Sequence, residues 1–220
     1  MRDMLRRFYI IVFFIFFFVV AIQAAERKIL VDSVTVNSNH LVLSYHIDGL
    51  LSNNTIQGLE RGLTSEVLHH IRLWKRKKLF SAISSEAFIS IKLYYDNWED
   101  KFRIVTDTEN RLTTQVETVR EFCSQVKNFP LIDISDLDSD NKYYISIETT
   151  FKPVSAETYH DLSEWLSGNP KSEEKEKPKK SGQNKVFGIL LNAMGFGDKV
   201  LSYKSKDFII RENNKIRFME

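Results

Sequence analysis

Apolar and polar positions alternate with period two along most of this chain, and the alternation predicts strands before any other property is considered. "KILVDSVTV" (28–36) is apolar-rich, and "HLVLSYHI" (40–47) puts Leu41, Leu43, Tyr45 and Ile47 on one face, with "VNSNH" between them as a hairpin turn. "DGLLSNNTIQGLERG" supplies a short helix, capped near Ser52 to Asn54 and stopped at Gly62. Period two resumes from Leu63 to Lys78: Leu63, Val67, His69, Ile71 and Leu73 share one face, and Glu66, His70, Arg72, Trp74 and Arg76 the other. "AFISIKLYYDNWEDKFRIVTD" (87–107) reads as a hairpin turning at "DNWED". From Arg111 to Val126 the spacing becomes helical, with Val116, Val119, Cys123 and Val126 in a stripe. "KYYISIETTFKP" (142–153) alternates through Tyr143, Ile145, Ile147, Thr149 and Phe151, and "SAETYHDLSEWLSG" (155–168) is a third helix, from a Ser155 cap to a Gly168 stop. Six strands and three helices joined by short links predict an α+β domain on one antiparallel sheet, or a two-sheet sandwich.

Two stretches break that pattern. "NPKSEEKEKPKKSGQN" (169–184) has no large apolar residue and reads as a charged disordered linker. Beyond it, 185–220 form a C-terminal appendage. Its apolar helix Val186 to Gly197 is too short to span a bilayer, and the basic tail "KDFIIRENNKIRF" has room for one or two strands. At the other end, "MRDMLRR" precedes eighteen uncharged residues from Phe8 to Ala25, the layout of an export signal. A small-residue exit follows Ala24, with Ile22 at −3. The apolar run also meets the minimum for a spanning helix of about 17–25 residues. A cleaved signal peptide and a retained anchor (1–25) both stay open, and both put the 26–168 domain outside the cytoplasm, in the periplasm or at the inner membrane.

Export changes the meaning of the charge. The whole chain carries 31 basic and 29 acidic side chains. Three basic and one acidic lie in the first 25 residues, which leaves 28 of each. A domain with no net charge lacks the electrostatic footprint of a nucleic-acid binder. The balance is uneven, however: 171–220 hold 12 basic and 7 acidic side chains, against 16 and 21 in 26–170. A tail of +5 beside a domain of −5 is expected to fold back on it or to meet an anionic surface. Cys123 is the only cysteine, so no internal disulfide is available.

Candidate chemistry is sparse. Asp136, Asp138 and Asp140 open with calcium-loop spacing, but Asn141 replaces the turn glycine and Ile147 the bidentate glutamate, so the loop reads as solvated. His40, His46, His69, His70 and His160 follow no metal-binding spacing, and Cys123 sits on an apolar stripe as a buried small hydrophobe. No nucleophile elbow or phosphate-cradling loop occurs. The expectation is a non-catalytic protein with no metal and no cofactor.

The run "HIRLWKRKKLF" is the densest cluster of charge. Arg72, Trp74, Lys75, Arg76, Lys77 and Lys78 are candidates for a membrane or partner contact, with the alternative that lysines simply blunt an edge strand. Phe187, Leu190, Leu191 and Met194, on the apolar segment, are candidates for an interfacial or docking helix, or for a helix packed on the domain.

Together "GLERGLTSEVLHHIRLWKRKKLFS", "ISIKLYYDNWEDKFRIVTDTENRLTTQVETVREF" and "YYISIETTFKP" resemble the exported bacterial domain-of-unknown-function family numbered forty-three ninety, over residues 28–165. The resemblance implies no activity and no functional residues. Genes of that family often stand beside those of a membrane sensor kinase, which implies work accessory to envelope signalling. The expected function is therefore an exported binding or assembly module with an envelope protein partner. The alternative is a binder of anionic ligands or lipid headgroups at the membrane surface. Partner identity and oligomeric state stay open.

Overall fold

The computed structural model describes residues 27–138, 141–153, 198–211 and 215–219. The expected N-terminal export segment, the third helix (155–168), the linker and the apolar segment with Phe187, Leu190, Leu191 and Met194 lie outside the described residues. What is described is mostly antiparallel β-sheet with two α-helices. Strands β1 (Lys28–Asn37) and β2 (His40–Asp48) form the expected hairpin. Its turn uses Ser38 and Asn39 at positive φ, as a two-residue primed turn requires. Helix α1 (Asn53–Glu60) starts where the Ser52 hydroxyl accepts the Thr55 N–H, and Gly62 at φ +92° ends it. Strands β3 (Ser65–Arg76) and β4 (Ser81–Asp96) form a long hairpin, and β5 (Lys101–Val105) turns back on β4.

The helix expected over Arg111 to Val126 is shorter than its sequence pattern. Asn110–Thr113 is strand β6, helix α2 spans Val116–Ser124, and Gln125–Asp133 is strand β7. Strand β7 escapes a period-two reading because it is irregular. Its register against β2 slips twice, Asn128 stands at φ +51°, and Pro130 interrupts the donors. Pro130 is tolerated because β7 is an edge strand of its sheet. Ser44 Oγ accepts the Asn128 N–H at 2.9 Å and repairs one break.

Strand β8 (Tyr143–Lys152) pairs with β3. The basic tail supplies two strands, as expected, β10 (Phe208–Ile210) and β11 (Ile216–Phe218), and a further strand, β9 (Lys199–Lys204), precedes it. Both β9 and β10 pair with the free flank of β8, and Ser205 bridges them. Its N–H donates to Ile145 O and its Oγ accepts the Ile145 N–H, both at 2.9 Å. Two sheets result: β1-β2-β7, and β11-β10-β8-β3-β4-β5-β6 with β9 also on β8. One core joins them, in which Leu41, Leu43, Tyr45 and Ile47 of the small sheet meet Val67, Ile71, Leu73, Ile145, Ile147 and Phe151 of the large one.

Within that core His69, Thr149 and Tyr45 bring polar atoms together. His69 is fully buried, with Nδ1 3.0 Å from the Thr149 hydroxyl, and its ring meets Tyr45 edge-on at 5.9 Å. Among the described residues, no atom meets hydrogen-bond geometry with His69 Nε2 or the Tyr45 hydroxyl. Burial lowers the His69 pKa to about 4, partly offset by the Cys123 backbone, and pushes the Cys123 thiol far up. An unfolded histidine titrates near 6.5, so between that pH and about 4 the unfolded chain binds a proton that the folded chain refuses. The His69 contribution to stability is complete above about pH 6.5 and falls by roughly 3 kcal/mol as the pH drops to 4. Urea unfolding at pH 7 and pH 4.5 should show the loss, and His69→Leu should flatten the slope between the two.

Candidate functional site

The basic run occupies the last turn-ward residues of β3. Strand β3 is not an edge, which corrects one of the two expectations for this run. It pairs with β4 from Ser65 to Arg76 and with β8 from Glu66 to Lys75, so lysine protection of an edge does not explain the charges. Near its end the β3–β4 register slips between Leu73 and Trp74, a bulge that leaves Ser84 unopposed. Beyond it Trp74 faces Ile83 on one side and Tyr144 on the other.

Most of the cations are spent inside the molecule. Arg76 Nε and Nη2 donate to the Asp207 carboxylate at 2.9–3.1 Å, which raises the arginine pKa. Lys75 hydrogen-bonds Asp138, raising its own pKa and lowering that of the aspartate. Arg72 lies 3.7 Å from Glu148 and 5.5 Å from the Trp74 ring. Trp74 stacks on Tyr144 at 5.9 Å and 6°, and its Nε1–H donates to Ser146 Oγ at 2.8 Å. The Tyr144 ring is in turn contacted by the Arg76 guanidinium at 4.7 Å and the Lys204 ammonium at 4.5 Å. This lattice ties β3, β8, β9 and the segment before β10 together.

What stays outward is the hairpin turn. Lys77 N–H donates to Phe80 O at 3.0 Å and closes it, and Lys77 Nζ lies 5.4 Å from the Phe80 ring. Leu79 is 94 % exposed, Phe80 65 % and the adjoining Ile83 47 %. Lys77 and Lys78 are in no ion pair among the described residues. Two lysines beside two bare apolar side chains thus replace the six-residue cluster read from sequence. Leu79 and Phe80 were not among the candidates, although "KKLF" at a strand end carries them. A second bare aromatic, Trp98, stands on the β4–β5 turn at 99 % exposure.

The other candidates go elsewhere. Asp138 binds Lys75 and the Asn141 amide, and Asp140 lies outside the described residues. His46 pairs with Asp32, and His70 with Glu86 while stacked on Phe88 at 4.2 Å. Among the described residues, no three histidines, cysteines or carboxylates converge on a metal position. A depression of about 210 Å³ lined by Arg111, Thr118, Glu121, Phe122, Gln125 and Lys127 is below the usual size of a ligand pocket. No helix among the described residues is long and apolar enough to cross a membrane.

A family model described as a domain of unknown function (DUF4390) matches residues 28–155. No curated protein matches, and no solved structure does.

Because Asp207 immediately precedes β10, its pair with Arg76 adds to the β8 pairing in holding β10 and β11 at the basic end. Asp207→Asn should speed amide exchange in Phe208–Ile210 and Ile216–Phe218 and leave β1, β2 and β7 unchanged. Hydrogen-exchange mass spectrometry of the two proteins checks this, and a uniform change across both sheets would contradict it.

Proposed function

This chain belongs to the DUF4390 domain-of-unknown-function family, and from that premise we propose that it is a non-catalytic binding module of the bacterial envelope that engages a protein partner through the β3–β4 turn. In this reading residues 1–25 export the chain or hold it at the inner membrane. A third helix (155–168), the charged linker (169–184) and the apolar segment carrying Phe187, Leu190, Leu191 and Met194 complete it. One observation carries the proposal. After Arg72, Lys75 and Arg76 are paired within the chain, Lys77, Lys78, Leu79 and Phe80 are left outward on a closed turn. Burying a leucine or phenylalanine on association yields about 1.5–3 kcal/mol each. The two lysines select an acidic surface and steer the approach to it.

The place where the chain enters the fold favours a protein over a lipid surface. Arg27 donates to Gly49 O at 3.0 Å, and its charge helps lower the Lys199 pKa, which burial lowers first. Register puts Lys199 level with Phe151 and Val67, near the start of β3. The turn at Lys77–Phe80 lies beyond the other end of that strand, about 30 Å away at 3.3 Å per residue. An anchor ending at residue 25 would hold the turn away from its own bilayer.

The test is crosslinking of the full chain in cells, beside a variant with Lys77, Lys78, Leu79 and Phe80 all changed to serine. A crosslinked protein that disappears in the variant is the expected result. Crosslinks unchanged by the variant sink the proposal. So does a turn-dependent gain in binding to phosphatidylglycerol vesicles with no protein crosslink, which would move the reading to lipid headgroups.

A further inference from the structure

We propose that a second copy of this chain is a partner of the basic turn, received through the acidic Trp98 turn at the other end of β4; this rests on the reading of Lys77–Phe80 as a contact surface. The Trp98 indole is almost wholly bare, yet the backbone that carries it is held tightly. Asp96 Oδ1 accepts the N–H groups of Trp98 at 3.1 Å and Glu99 at 3.3 Å, while Oδ2 accepts Arg103 Nη2 at 2.8 Å. Tyr95 donates its hydroxyl proton to Asp100 Oδ1 at 2.6 Å, and Asp100 takes φ +57°, a region open to aspartate. A turn ordered in advance presents its aromatic without a further backbone cost on binding. Nothing in its own chain covers this ring among the described residues.

The two turns are complementary in kind. One carries Lys77 and Lys78 beside bare Leu79 and Phe80. The other carries Glu99 and Asp100 around bare Trp98, although Lys101 at 3.2 Å shields Glu99 in part. An indole face accepts an ammonium group, and its edges accept apolar side chains. The two cannot meet within one molecule. Strand β4 spans 16 residues between them, about 50 Å at 3.3 Å per residue. Complementarity at opposite ends of one rigid strand is satisfied between copies, head to tail, and such a contact grows into chains or closes into a ring. Each turn is small beside the roughly 800 Å² per partner of a stable interface, so association rises with concentration and is not permanent.

Charge reversal across copies tests this. The full chain is purified in a neutral detergent with three variants: Lys77→Glu/Lys78→Glu, Asn97→Lys/Glu99→Lys and Trp98→Ser. All the substituted side chains are on outward turns, and thermal unfolding confirms that each variant is folded. Sedimentation velocity should show concentration-dependent association of the native chain. Each variant alone should associate at least about tenfold more weakly, equivalent to about 1.4 kcal/mol. An equal mixture of the two reversed variants should regain association, because between unlike variants the reversed turns meet opposite charge and the unaltered turns meet as in the native chain. A mixture that stays monomeric, or reversed variants that associate like the native chain, overturns the proposal. If the native chain is monomeric throughout while turn-dependent crosslinks to another protein persist in cells, this inference fails and the contact reading of the turn survives.

Discussion

Hydrogen bonding on both flanks of β3 is the constraint from which the rest of the described fold follows. From Glu66 to Lys75 every residue has a partner on β4 and on β8, so the strand's backbone is satisfied without water. One face can then be wholly buried, and Val67, His69, Ile71 and Leu73 are. The small sheet and α2 close over that face. On β8 the residues opposite are Phe151, Thr149, Ile147 and Ile145, so the core continues across the strand pair without a break.

A central strand cannot end on three crowded cations, Arg72, Lys75 and Arg76, without counter-charges. At Lys75 and Arg76 the backbone is still inside the sheet, with Arg76 N–H donating to Lys142 O at 2.7 Å. Side chains that leave the sheet there are crowded together, and unpaired they would repel one another. Asp138 from the loop before β8, Asp207 from the tail and Glu148 from β8 itself supply the counter-charges. The tail therefore stabilises the end of β3 as well as extending the sheet. Only past the last ladder bond does the chain expose lysines and apolar side chains together.

The same close packing leaves a buried polar cost in the core. Among the described residues Tyr45 and His69 each hide a polar atom without a partner, an arrangement that costs about 1–3 kcal/mol per group. Their rings fill the space between the two sheets, and that apolar contact offsets part of the penalty. Burial holds His69 uncharged and Cys123 as a thiol rather than a thiolate at neutral pH.

Local pattern alone was enough for the regular strands. The buried faces of β2, β3 and β8, the Ser52 cap and the Asn37–His40 turn were all legible, because each is written in the residue spacing of its own segment. Residues Arg111 to Thr113 and strand β7 were not. Thr113 and Gln125 carry no signal that separates helix from strand, and β7 is irregular for reasons that lie on β2. The basic run was visible as composition, but its meaning was hidden. Whether Lys75 and Arg76 are free depends on Asp138 and Asp207, which lie 63 and 131 residues away. Sequence determined that this end of β3 is charged and aromatic, since side-chain chemistry is local. Only the tertiary structure decided which of those charges remain for a partner, because pairing is settled by distances in space that spacing along the chain does not contain.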